Sequence, residues 1–105
     1  MSETQIVVYP WPEATPPSET ALKRQLLAEG FEAFRWSNAP GDIYAAHAHH
    51  YDKVLYVLRG SIAFGLPELG QTVRLEAGDR LELPAGVVHN AVVGMDGVIC
   101  LEAVR

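Results

Sequence analysis

The stretch Gly41-Asp-Ile-Tyr-Ala-Ala-His47-Ala-His49-His50-Tyr-Asp-Lys53-Val-Leu-Tyr-Val-Leu-Arg-Gly60 carries three of the four histidines in the 105-residue chain. His47 and His49 are two apart. Residues i and i+2 of a β-strand share one face, so two imidazoles at that spacing can converge on one ion. The next segment alternates: Lys53, Leu55 and Val57 on one parity, Val54, Tyr56 and Leu58 on the other. That period favours strand over helix. A metal site on a β scaffold is the first expectation.

Length and composition bound the rest. One domain of this size has room for one core. With 49% hydrophobic residues the chain is globular and not disordered. The formal charge of −5 and the scattered Lys and Arg argue against a nucleic-acid partner, which requires a basic footprint. Cys100 is the only cysteine; it excludes an intramolecular disulfide and a cysteine-type zinc site. The first eight residues lack the basic and apolar regions of a signal peptide, and no apolar run is long enough to span a bilayer. These features imply a cytoplasmic protein with no membrane partner.

Working outward, Gln5 to Tyr9 reads as a short strand. Pro10, Pro12, Pro16 and Pro17 then interrupt regular structure. Ser18 is placed to cap a helix from Glu19 to Glu29, with Ala21, Leu22, Gln25, Leu26 and Leu27 at helical spacing and Gly30 as its stop. Strands are expected at 31–36, 43–49, 53–58, 61–66, 71–75, 80–83, 89–93 and 98–104, each gap punctuated by Gly, Pro, Asn or Asp. Many short strands with no helix among them predict an all-β sandwich or closed barrel, with one short helix near the N-terminus.

The fourth histidine, His89, completes a second pattern. Gly41, five residues, His47-Ala48-His49, three residues, Lys53, six residues and Gly60 form the first. Gly78, five residues, Pro84-Ala85-Gly86, two residues, His89, three residues and Val93 form the second. Together, in order and in register, they resemble the two motifs of the cupin superfamily, over roughly Gly41 to Val93. The resemblance implies a small jelly-roll β-barrel, commonly a homodimer. It divides residues 1–105 into an N-terminal strand, helix and strand (1–36) and a barrel core (37–105). It also implies a metal in the barrel mouth, held by His47, His49, the residue at position 53 and His89. Three imidazoles suit a divalent transition metal, Zn, Ni, Fe, Mn or Cu.

The chain departs from the motif at Lys53, where the family has a glutamate, and at Val93, where it has an asparagine. An ammonium cannot ligate. At roughly 5 Å from a divalent ion and an effective dielectric of about 20, repulsion is on the order of 6–7 kcal/mol. Lys53 can swing to the barrel rim, anchor an anionic guest, serve a metal-free site, or act as a neutral nucleophile. Asp52 and His50 have the wrong parity for the site, and His50 is expected at the surface. Tyr44, Tyr51 and Tyr56 are candidates to line a pocket; Tyr51 shares the histidine parity and, with Lys53, is a candidate catalytic residue. Two functions fit: a metal-binding protein that acts on or binds a small anionic molecule, with chemistry of dioxygenase or isomerase type, or a non-catalytic module, with or without metal, that binds a small ligand.

Overall fold

The computed structural model describes residues 6–104. In chain order the elements are β1 (Val7–Tyr9), α1 (Glu19–Ala28), β2 (Ala33–Asn38), β3 (Ile43–His47), β4 (Lys53–Leu66), β5 (Gln71–Glu76), β6 (Arg80–Leu83) and β7 (His89–Val104). Every pairing is antiparallel. Gln5, expected at the start of the first strand, lies outside the described residues.

Two long strands organise the jelly roll. The first half of β4 pairs with β6 and with the last residues of β7, and β1 and β2 extend this layer at its two ends. The second half of β4 pairs with β5 and with the first residues of β7, which in turn pair with β3. The sequence predicts breaks at Arg59-Gly60 and at 94–97. Instead both strands run through as bends, with register shifts on either side of Gly60. Gly60 and Gly97 have φ of +77° and +76°, a region that L side chains avoid. A Cβ on Gly60 would also collide with the Gly97 carbonyl oxygen. Glycine here allows two backbones to turn against each other; it does not end a strand.

The alternation in β4 has both parities buried, because both faces of the strand are covered. Leu55 and Val57 point into the barrel with Ile62, Leu75, Leu81 and Cys100. Val54, Tyr56 and Leu58 point outward against Leu22, Leu26 and Phe31. The helix therefore serves as a lid on the outer face. Ser18 caps it, accepting from the Ala21 amide at 3.2 Å. At its end the Gly30 amide donates to Leu27 O and the Phe31 amide to Leu26 O, a Schellman closure in which Phe31 packs back with Leu26. Of the expected apolar stripe, Leu22 and Leu26 are buried, whereas Leu27 is exposed.

Candidate metal centre

His47 is the last residue of β3 and lies directly opposite His89, the first of β7. The strand stops there, so His49 is not delivered by strand alternation as expected; it stands in the 48–52 loop. Two hydrogen bonds stitch that loop to the Pro84-Ala85-Gly86 turn. The Gly86 amide donates to His49 O at 2.8 Å, and the Ala85 amide donates to Asp52 Oδ1 at 2.9 Å. The outward parity of Asp52 thus has a structural use: it ties the loop carrying His49 to the turn carrying His89.

The three imidazoles meet. Ring centroids are 4.5 Å apart for His47 and His89, 4.7 Å for His47 and His49, and 5.2 Å for His49 and His89. One ring nitrogen from each lies within 4.8 Å of the others. His47 Nδ1–H donates to Ala45 O at 2.7 Å, and His89 Nδ1–H donates to Val87 O at 3.0 Å. A carbonyl accepting at Nδ1 fixes the tautomer that leaves Nε2 as a free lone pair, the usual support for a metal-binding imidazole. Burial holds His49 below the ordinary histidine range, helped by the positive charge of Lys53. His89, 2% exposed, is lowered chiefly by burial, against the opposing pull of its bond to Val87 O. Three imidazoles form a donor set that fits a borderline divalent transition metal.

Lys53 does not reach the rim. Its side chain is 12% exposed and points into the barrel. Nζ donates to His49 Nε2 at 3.3 Å and lies 3.5 Å from Glu102 Oε1. Glu102, on β7, also accepts from Trp36 Nε1 at 3.1 Å. The motifs give no hint of this carboxylate. The last strand does: Val98 and Cys100, both buried, share the parity of Glu102, and a charge among buried apolar residues needs a partner.

Around these groups opens a cavity of about 310 Å³. Its walls are largely aromatic, with Phe34, Trp36, Tyr44, Tyr51 and Phe64 joining the histidines, Lys53 and Glu102. Tyr51 stacks on His49 at 4.8 Å. The Tyr44 hydroxyl donates to Asn38 Oδ1, and burial raises its pKa above the ordinary tyrosine value. Tyr56, the third tyrosine considered, lies on the other side of the sheet, where its hydroxyl accepts from Arg80 at 2.9 Å. His50 is exposed and Val93 is buried in the core.

Residues 34–99 match the sequence family described as a cupin domain. The chain belongs to the cupin family. A curated relative, a pyrimidine/purine nucleoside phosphorylase of Hahella chejuensis, is 35% identical to this cupin over 57 residues, which make up 54% of the chain and 59% of the relative. The cupin therefore spans about three fifths of that relative's length. Among solved structures, KdgF from a Halomonas species is 28% identical, with a TM-score of 0.58, over 71% of this cupin and 69% of that chain. The polyketide cyclase RemF from Streptomyces resistomycificus is 26% identical, with a TM-score of 0.61, over 70% of this cupin and 54% of that chain. Such different neighbours fix the architecture and leave the reaction to the site.

Proposed function

We propose that this cupin holds a divalent transition metal on His47, His49 and His89 and acts on a small anionic molecule in the adjoining cavity. The observation that carries the reading is the pair of Nδ1–H bonds to Ala45 O and Val87 O, which hold two of the three Nε2 lone pairs ready. A bound ion would supply Lewis-acid activation of a guest oxygen, or redox chemistry with an oxidisable metal. The chain's own residues do the remainder. With Lys53 neutralised by Glu102, three uncharged imidazoles leave the charge of a divalent ion unbalanced, and an anionic guest restores it. Phe34, Trp36 and Phe64 give that guest an aromatic wall to pack against. Tyr51 holds His49 at the mouth by stacking.

Metal analysis of protein purified without added metal tests the reading. Substituting His49→Ala should reduce retained metal at least tenfold; unchanged content in that variant would refute the ligand set. Catalysis is tested by oxygen uptake with Fe(II) against thiols, diketones and aromatic acids. A further arm measures the release of free base from nucleosides with inorganic phosphate, the chemistry for which the curated relative is named.

A second reading, a metal-free module that binds a small ligand, is favoured by the contact of Lys53 Nζ with His49 Nε2, which occupies a lone pair that a metal would need. Protein that neither retains nor takes up any transition metal, yet binds aromatic acids, would select it.

A further inference from the structure

Lys53 stands between two acceptors of different kinds. One is His49 Nε2, a nitrogen that a metal would also claim; the other is Glu102, a carboxylate that Trp36 holds in place. Both contacts are long for charge-assisted bonds, at 3.3 and 3.5 Å, where an ammonium settled on one carboxylate approaches to about 2.7–2.9 Å. An ammonium on the lone pair of His49 and a metal ion on the same lone pair exclude each other.

We propose that Lys53 and Glu102 form a cation-exchange pair. Lys53 fills the place of the ion on His49 when the site is empty of metal, and metal entry moves its ammonium wholly onto Glu102. Glu102 is then the carboxylate that the motif lacks at position 53, relocated to β7. It acts on the metal site through Lys53 as a positioning residue and not as a ligand. No proton need be transferred: one cation leaves His49 and another takes its place. The displacement needed is small, because Glu102 Oε1 is already within 3.5 Å of Nζ. The arrangement also answers how a site with a lysine at its heart tolerates a divalent ion. The positive charge that would repel the ion is paired, and the aromatic walls around Glu102 keep the pair from dispersing into solvent.

The inference rests on the metal-site reading, and the test separates the two. Ni(II) alone is titrated calorimetrically into the wild type and into Lys53→Met, Glu102→Gln and the double variant. Lys53→Met should bind at least tenfold tighter, since no ammonium has to be displaced. Glu102→Gln should bind at least tenfold weaker, since Lys53 has nowhere to go. In the Lys53→Met background the same Glu102→Gln change should alter affinity less than threefold. An equal loss in both backgrounds would show Glu102 acting on the ion directly and would overturn the proposal.

A second measurement needs no Glu102 variant. Lys23 and Lys53 are the only lysines, so a ¹H–¹⁵N spectrum of lysine ammonium groups is assignable with Lys23→Arg. Zn(II) should shift the Lys53 signal and slow its exchange with water. Binding of Zn(II) with an unmoved Lys53 signal would sink the exchange pair while leaving the metal site intact. Failure of every variant to bind either ion would remove the metal reading and this inference together.

Discussion

Lys53 and Arg80 are cations on neighbouring strands, β4 and β6, and their side chains are almost equally buried, at 12% and 10% exposure. Their surroundings differ. Arg80 faces outward beneath the end of α1 and is saturated. It donates to Glu29 through both terminal nitrogens, at 3.0 and 2.7 Å, to Glu82 through Nε at 3.0 Å, and to the Tyr56 hydroxyl at 2.9 Å. These partners outweigh the burial that would otherwise favour losing the proton, and hold Arg80 charged well above the ordinary arginine range. Lys53 faces inward onto a cavity with two long contacts. The planar fork of arginine suits a fixed, bidentate latch, whereas a lysine head is a point charge on a flexible stem. Equal burial thus yields a clamp in one place and a movable charge in the other.

The largest expected effect comes from breaking the clamp. Arg80→Met removes the cation that Glu29 and Glu82 share under the helix. Loss of one member of a buried pair costs about 3–5 kcal/mol, but Glu29 and Glu82 are about a third exposed and regain some water. A loss of about 2–3 kcal/mol is expected in urea denaturation, with Tm lower by roughly 10 °C or more. Retention of full stability would show that the helix is held by Leu22, Leu26 and Phe31 alone.

The next test asks how dry the inner core near Glu102 is. Cys100 shares the inward parity of Glu102 and is fully buried. Burial, with some help from Glu102, pushes its thiol up to about 12. Above about pH 9 an unfolded chain releases that proton while the folded chain keeps it. The folded state then binds more protons, and stability falls as pH rises, by at most about 1.4 kcal/mol per pH unit. Denaturation midpoints at pH 7.5, 9 and 10 should diverge between the wild type and Cys100→Ala, with the variant losing less. A constant difference between the two proteins would mean that water reaches the thiol and that this part of the core is open.

The smallest effect is expected at Lys53 itself. Lys53→Met should change stability without metal by no more than about 1 kcal/mol, because its bonds are long and Glu102 keeps its bond from Trp36. A loss as large as that of Arg80→Met would make Lys53 a second clamp and end the contrast.

The same division marks what was legible in the sequence. The histidines were legible because fixed spacings around glycines place them, and His89 was found through the Pro84–Gly86 turn. The shared parity of Lys53 with the histidines was legible, but parity left open whether its head reaches the rim or the site; the structure turns it inward. Its partner was not legible, because Glu102 lies about fifty residues away and only strand pairing brings them together. Nor did the sequence show that β4 and β7 run through Gly60 and Gly97. Glycine reads locally as a turn, and only the facing backbone of the other strand makes it a bend. His49 reached its place by a loop brace, through Asp52 and Gly86, that strand alternation did not foresee.

The shared bends also govern how the chain can fold. Each of the two long strands belongs to both layers, so neither layer can form and persist alone. Pairing Lys53–Leu66 with His89–Val104 closes a large loop before any local contact rewards it, and such topologies fold slowly, on a scale of milliseconds to seconds. Opening should be equally collective. Hydrogen exchange in β4 and β7 is expected to require global unfolding, so His89, alone of the three site histidines, stands on the last part of the molecule to come apart.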